Sequence, residues 1–462
     1  MATHVGYAVS GRVDSFRTRG VAGSGYSVLV SQGSMSTQGL PPVHEAWLPR
    51  EHSLYRPRHG ALQRTALVCA AIFFCFPLVA KLLGVGPGID ENRQLKEFPS
   101  IGDGWGFLTA MPAWASDNLP LRGAAIRAED AISRSVFGEP PSFAGPVVQV
   151  GPVSPSEEAP GGSDAPEQPT DGTPKVIEGR DGWLYYGIDI SGKCTPSAPL
   201  ADTLAGMLRL KQGVERSGRK FVLVIAPDKT TMVPDRLPDR FVGKDCAAAA
   251  SETFWRESRT KLGAIDLRDA LREESARLNA PVYFPQDTHW TFHGGLVMTR
   301  ELAERMKPGV SDEWRVSDGP DWSGDADLPK VIGKSATNRA KELQLAPDGK
   351  VDRTNRVERD FTTTLEFDSF PVSGMVNTPT AMIGDSFCQF ATPLLAAAFS
   401  NISITHARTL EQDPKRVAAK LAEGNTVVIE VVERDLARGS SPVASPPVID
   451  AIIDALAARP IK

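Results

Sequence analysis

Ala381-Met382-Ile383-Gly384-Asp385-Ser386-Phe387 is an apolar run that stops at a glycine, an acid and a serine. This is the pattern of a buried strand ending in a tight turn that presents a hydroxyl. A serine hydroxyl is a poor nucleophile until a base takes its proton. About a hundred residues upstream, Asp287-Thr288-His289-Trp290 offers a carboxylate and an imidazole two residues apart. The combination points to a Ser-His-Asp hydrolase or acyltransferase. Ser386 would be the nucleophile, His289 the general base and then acid, and Asp287 the group that orients the ring and stabilises the imidazolium. Asp385 neighbours Ser386 directly, and its expected part is to order the turn through backbone N–H groups. Trp290 would pack behind the imidazole or stack on a sugar ring.

Outward from this stretch, apolar strands alternate with helical patterns. Phe221-Val222-Leu223-Val224-Ile225-Ala226 stops at Pro227-Asp228-Lys229, and Ala264–Leu267, Pro281–Phe284 and Thr426–Val432 read as further strands. Helices are expected over about 204–216, 247–262, 292–306, 391–399, 414–422 and 446–456. Continuous apolar strands separated by helices predict an α/β fold, a parallel sheet covered on both faces. Ligands then sit at the carboxyl ends of the strands, and Lys229, Asp287 and Ser386 are all expected there. Residues 310–375 are polar and irregular and read as an insertion near the site, with a β pair around Arg353–Glu366.

The 462 residues carry a net charge of −5, and no basic patch interleaved with aromatics is present, so nucleic acid is not an expected partner. The apolar run from Ala66 to Val85 is long enough to cross a bilayer core if Lys81 snorkels to the interface. Ahead of it stand Arg12, Arg17, Arg19, Arg50, Arg56, Arg58 and Arg64 against Asp14, Glu45 and Glu51, which places the N-terminus in the cytoplasm. A buried core helix and a cleavable signal are the alternatives, the latter with Met35 as a second possible start. The division expected is a disordered tail over 1–64, a transmembrane helix over 65–86, a helical stalk over 87–138, a Pro/Gly/Ser-rich linker over 139–174 and a catalytic domain over 175–462.

Of seven histidines, His4, His44, His52 and His59 precede the membrane run, leaving His289, His293 and His406 for an external site. Asp287, His289 and His293 also have a spacing that a metal ion could use, the rival to the triad; no cofactor or metal is otherwise called for. Cys194 and Cys246 either form a disulfide in an oxidising compartment or, with Cys388, remain thiols.

These motifs resemble the SGNH-like family of bacterial exopolysaccharide O-acetyltransferases (AlgJ/AlgX-like). The resemblance rests on Glu91-Asn92-Arg93 with Pro99, the Asp117–Arg122 segment, Gly182-Trp183-Leu184-Tyr185, Ala226-Pro227-Asp228-Lys229, Asp287-Thr288-His289-Trp290, Gly384-Asp385-Ser386-Phe387 and Glu430–Arg434. It implies a circularly permuted SGNH hydrolase-like fold, because the Asp/His segment precedes the serine, and a triad of Asp287, His289 and Ser386. It further implies acetyl transfer to a polysaccharide outside the cytoplasm, with a multispanning acyltransferase of the MBOAT type as the acetyl source. Three departures stand out: the 139–174 linker, a catalytic domain with no carbohydrate-binding module expected after it, and Met232-Val233 where an aromatic would be looked for. A carbohydrate acetylesterase using the same triad and a non-catalytic polysaccharide scaffold are the competing functions.

Overall fold

The computed structural model describes residues 61–85, 98–100, 102, 104–118, 120, 122–138, 172–355 and 363–461. The tail expected over 1–64, apart from 61–64, and the linker expected over 139–174, apart from 172–174, lie outside the described residues. Two units are distinguished, 1–73 and 74–462. A 22-residue helix covers Ala61–Leu82, and Leu67, Val68, Ile72 and Phe73 on it are exposed. Among the described residues no helix is long and apolar enough to cross a membrane, so the expected span over 65–86 rests on sequence alone. Within the helical stalk expected over 87–138, two helices form, Trp105–Asp117 and Arg122–Ile132, the second running on through Ser133–Phe137.

The strands in chain order are β1 (Val176–Glu178), β2 (Leu184–Tyr186), β3 (Lys220–Ala226), β4 (Ile265–Asp266), β5 (Arg315–Asp325), β6 (Thr337–Ala346), β7 (Leu365–Asp368), β8 (Thr380–Gly384), β9 (Asn401–His406) and β10 (Thr426–Val432). β1 and β2 form one antiparallel pair, and β5 and β6 form another. The other six make a single sheet in the order β4-β3-β10-β8-β9-β7. Every pairing in it is parallel except β7 with β9. The sheet is therefore mixed rather than wholly parallel. Parallel pairing is enforced where a crossover helix returns the chain, and among the described residues none stands between β6 and β7.

β10 is central because every one of its seven residues, Thr426-Val427-Val428-Ile429-Glu430-Val431-Val432, can be buried. Successive side chains of a strand face opposite ways, and the sheet partitions accordingly. Val224, Ala226, Met382, Val428 and Val432 join one core with Leu271, Leu296 and Leu394 from helices Arg268–Leu278, Phe292–Met306 and Thr392–Ala398. Leu223, Ile225, Ala381, Ile383, Val427 and Ile429 join the other with Leu204, Val417 and Ile449 from helices Leu200–Arg216, Pro414–Leu421 and Pro446–Ala457. The two-faced α/β fold read from the alternation is thus present.

One expectation fails locally. Pro281–Phe284 is not a strand of the sheet; Tyr283 makes only an isolated bridge to Trp290. Val282, Tyr283 and Phe284 are apolar and buried as strand residues would be, but tertiary contacts rather than ladder pairing place them. The irregular region holds an antiparallel pair at β5 and β6; the pair expected around Arg353–Glu366 falls largely on 356–362, which lie outside the described residues, and its last residues, Leu365 and Glu366, begin β7.

Cys194 and Cys246 are joined in a disulfide, which resolves the alternative the sequence left open. It ties the end of helix Ile188–Cys194 to helix Lys244–Glu257 across 52 residues of chain. Loop-closure entropy makes such a link worth ~2–4 kcal/mol. Cys194→Ser with Cys246→Ser is expected to lower the unfolding free energy by about that amount in urea titrations, and a loss below ~1 kcal/mol would contradict a stabilising bridge.

Candidate active site

β8 delivers the serine. Gly384 ends the strand and has no room for a side chain: a Cβ there would meet Cys388 Sγ at 2.3 Å and Glu430 Oε2 at 3.2 Å. The chain then enters a short turn, Ser386–Phe390. Asp385 orders this turn as expected. Its Oδ1 accepts the N–H of Phe387 at 2.8 Å and its Oδ2 the N–H of Val432 at 2.7 Å, fastening the turn to the end of β10. Glu430 reaches the same turn from within β10, its Oε2 accepting the N–H of Asp385 at 2.9 Å and the thiol of Cys388 at 3.1 Å. Burial first, and then the charge of Asp385, push the Glu430 carboxyl well above the usual carboxylate range. Ser386 itself is half-buried.

The imidazole comes from the irregular segment between helices Arg268–Leu278 and Phe292–Met306. This corrects the expectation that Asp287 follows a sheet strand. Despite that origin, His289 meets the serine: Nε2 lies 2.8 Å from Ser386 Oγ, and Nδ1 lies 2.6 Å from Asp287 Oδ1. His289 is 3 % exposed and Asp287 4 %. The three residues singled out in the sequence are therefore joined in one line of hydrogen bonds.

A buried carboxylate is tolerable only when its lone pairs are used. Asp287 Oδ1 also accepts the backbone N–H of His289 at 3.0 Å, and Oδ2 accepts Asn338 Nδ2 at 2.7 Å and the N–H of Asp327 at 3.1 Å. Burial works to raise the carboxyl, but the charge of His289 and these donors outweigh it and hold Asp287 down at about 2. For His289 burial works to lower the imidazole, and the Asp287 carboxylate prevails, leaving it above its ordinary 6.5. The ring is thus a stronger base than free histidine, with its Nδ1 side committed.

Sequence reasoning missed Asp327 and Asn338. Asp327 accepts the N–H and hydroxyl of Thr288 at 2.8 and 2.5 Å, and its Oδ2 lies 3.6 Å from His289 Nδ1. Burial and the neighbouring Asp287 raise it to about 6. Nothing in the sequence distinguishes Asp327 from the nearby Asp321 and Asp325, and Asn338 sits on β6, whose pairing was not legible. Trp290 was legible only in part. It is fully buried, donates Nε1–H to Phe387 O at 2.9 Å and packs edge-on against Phe387, so it fastens the segment to the serine turn and is not available to a sugar.

The metal alternative loses one of its residues, because His293 Nδ1 is paired with Glu274 at 2.8 Å. Asp287, His289 and Asp327 each place a donor atom within 4.8 Å of the others. A cation there would have to displace the 2.6 Å Asp287–His289 bond and the N–H donors already on Asp287, so the set fits proton transfer better than metal ligation. His406, at the end of β9, accepts the N–H of Arg408 and takes no part in the line of bonds.

Residues 176–392 match the model of the SGNH hydrolase-like domain of the acetyltransferase AlgX. Among curated relatives, a probable alginate O-acetylase AlgJ of Pseudomonas syringae pv. tomato is 29% identical over 132 residues, 29% of this chain and 33% of that protein. One from Azotobacter vinelandii is 26% identical over 149 residues, 31% of this chain and 37% of that one. The matched stretch thus spans about a third of these relatives' length. Among solved structures, the O-acetyltransferase domain of Pseudomonas putida AlgJ aligns with a TM-score of 0.43 at 18% identity, over 61% of this chain and 99% of that one. Pseudomonas aeruginosa AlgX aligns with a TM-score of 0.39 at 16% identity, over 60% of this chain and 66% of that one.

A base must be neutral to accept a proton, and Asp287 holds the His289 pKa above 6.5. For an activated acetyl ester, kcat/KM is therefore expected to rise as pH climbs through a midpoint above 6.5, with a plateau on the alkaline side of it. A profile already flat from pH 5 upward would contradict this assignment. His289→Ala should cost at least ~1,000-fold in kcat, while His293→Ala, on the far side of its Glu274 pair, should stay within about twofold.

Proposed function

We propose, taking residues 176–392 as an SGNH hydrolase-like domain of the AlgX type, that this chain is an O-acetyltransferase that moves an acetyl group through Ser386 to a hydroxyl of an extracellular polysaccharide. The observation that carries the reading is the line from Asp287 Oδ1 to His289 at 2.6 Å and from His289 to Ser386 Oγ at 2.8 Å. Ser386 Oγ attacks the acetyl carbonyl of the donor while its proton passes to His289 Nε2. Negative charge gathers on the former carbonyl oxygen, and the N–H of Ser386, the first of its helical turn, is suited to receive it. Collapse breaks the bond to the donor, whose leaving group takes the proton from His289. An acceptor hydroxyl then gives its proton to His289 and attacks the acetyl-serine, and the proton returns to Ser386 Oγ as the sugar ester leaves.

The relatives' printed names give alginate as the polymer for those proteins; for this chain the acceptor proposed is the broader class, a polysaccharide hydroxyl. The apolar run from Ala66 to Val85, behind an arginine-rich segment, supports a single membrane anchor with the catalytic part outside the cytoplasm. The disulfide between Cys194 and Cys246 agrees with an oxidising compartment. A polytopic acyltransferase of the MBOAT type fits as the acetyl source, because activated acetyl groups are made in the cytoplasm and must be carried across. Hydrolysis is the competing outcome, since a half-buried serine is open to water.

The test is to incubate the full chain with p-nitrophenyl acetate and a panel of oligosaccharides, and to follow acetate and acetylated sugar by mass spectrometry. Wild type is expected to yield acetylated sugar at the expense of acetate, and Ser386→Ala to yield neither above background. Acetate release that no sugar diverts would make the protein an esterase. Unchanged turnover by Ser386→Ala would remove the triad itself.

A further inference from the structure

Lys229 is a buried cation whose partners are not anions. It follows β3 directly and is 1 % exposed. Its three ammonium protons face three carbonyl oxygens of one short stretch: Phe284 at 3.1 Å, Pro285 at 3.1 Å and Asp287 at 2.5 Å. The rings of Trp183 and Tyr185 flank the charge at 5.6 and 5.2 Å. Three donors meeting three acceptors leaves the ammonium satisfied, and every acceptor belongs to the segment that carries Asp287 and His289.

That segment needs holding. It shares no ladder with the sheet, and its internal bridge joins only Tyr283 to Trp290. Its two ends are fastened by Tyr283, whose hydroxyl donates to Pro227 O at 2.6 Å, and by Trp290, which donates to Phe387 O at 2.9 Å. Between those ends, Leu184 N–H donates to Pro285 O at 2.9 Å, Asp327 and Asn338 hold Thr288 and the Asp287 carboxylate, and among the described residues Lys229 is the donor to the carbonyl of Asp287. We propose that Lys229 is a positioning residue of the reaction: by donating its three protons to the 284–287 backbone it fixes Asp287, and through Asp287 the His289 ring, at bonding distance from Ser386.

A compact ammonium suits this task. The planar fork of arginine cannot aim three donors at carbonyls converging on one point, and an apolar side chain would leave Phe284 O and Pro285 O with only the N–H groups of Asp287 and Leu184 and the carbonyl of Asp287 short of a donor. The device is also proton-dependent. Burial lowers Lys229 to about 8, against the opposing pull of Asp327 from the helix after β5, Asp287 from the segment itself and Asp189 from helix Ile188–Cys194. Tyr185 of β2 and Tyr283 face the same space, but burial raises both hydroxyls, so neither competes for ionisation in this range. A neutral amine has two protons for three carbonyls. Above about pH 8 the segment should therefore loosen while His289 is still a competent base.

The proposal rests on the Ser386–His289 reading, so Ser386→Ala is run beside it. Steady-state hydrolysis of p-nitrophenyl acetate by the full chain is followed from pH 6 to 10 for wild type and Lys229→Met. Wild-type kcat should fall above about pH 8. Lys229→Met should lose ~100-fold in kcat with KM changed less than about threefold, and its residual activity should lack the alkaline fall. Lys229→Met with kcat within threefold of wild type, or with the same alkaline fall, overturns the proposal. If Lys229→Met does not fold by near-ultraviolet circular dichroism, wild type alone decides. Its rate of Ser386 labelling by a sulfonyl fluoride should fall above about pH 8 while the spectrum stays native, and a rate flat to pH 10 overturns the proposal. Full activity of Ser386→Ala would instead remove the site reading, a result no Lys229 variant can mimic.

Discussion

The structure depends on one contact between two parts of unequal rigidity, the hydrogen bond of His289 to Ser386. Ser386 is placed by the sheet: β8 is buried along its whole length, and the turn after it is fastened to β10 through Asp385 and Glu430. His289 is placed by an irregular segment without ladder bonds. A displacement of about 1 Å between reacting groups can cost a hundredfold in rate, so the second part must be held nearly as firmly as the first. It is held by polar side chains aimed at its backbone and by packing. Helix Phe292–Met306 approaches the serine turn so closely that a Cβ on Gly295 would stand 2.3 Å from Phe390 O. Trp290, Phe292 and Trp322 fill the space around Phe387 and Phe390.

Below the carboxyl ends of β3 and β10 lies a second buried polar group. Lys193 pairs with Asp228 and Glu433, both at 2.8 Å, and Arg434 lies 3.4 Å from Asp228 and 3.5 Å from Asp189. Glu433 also takes the hydroxyls of Thr231 and Ser251 and the N–H of Asp228. Such networks contribute little to net stability compared with apolar packing, yet removing one member leaves a charge uncompensated and costs about 3–5 kcal/mol. Their effect here is geometric. They lock the ends of β3 and β10 to helices Ile188–Cys194 and Lys244–Glu257, which the disulfide also joins, and so fix the platform from which Lys229 and the serine turn project.

What the sequence made legible follows from how local each signal is. Phe221–Ala226, Ala381–Ile383 and Thr426–Val432 could be read as strands because burial on both faces leaves a continuous apolar run. Helix 292–306 was readable from its period, and Ser386, His289 and Asp287 from residue type and spacing. Asp327 and Asn338 were not readable, because they matter through donors and acceptors brought from 40 and 51 residues away. The antiparallel direction of β7 and the disulfide were set by tertiary contacts that leave no mark on neighbouring residues. Pro281–Phe284 misled for the opposite reason: Val282, Tyr283 and Phe284 are apolar and deeply buried, but they fill the core from an irregular segment. The match to the AlgX-type domain ends at residue 392, before β9 and β10.

The way His289 is held constrains the order of the proposed reaction. Its Nδ1 is committed to Asp287 and the ring is nearly inaccessible, so a single nitrogen, Nε2, handles every proton. In the first half-reaction that nitrogen receives the serine proton and passes it to the leaving group; in the second it must be empty again before an acceptor hydroxyl can be activated. Donor and acceptor therefore use the same face of Ser386 in turn, which is a ping-pong sequence with an acetyl-serine between the halves. Transfer then competes with hydrolysis only while that intermediate waits. In the proposed reaction, preference for sugar over water would need no different triad; it would turn on how long the acceptor occupies the space over Nε2.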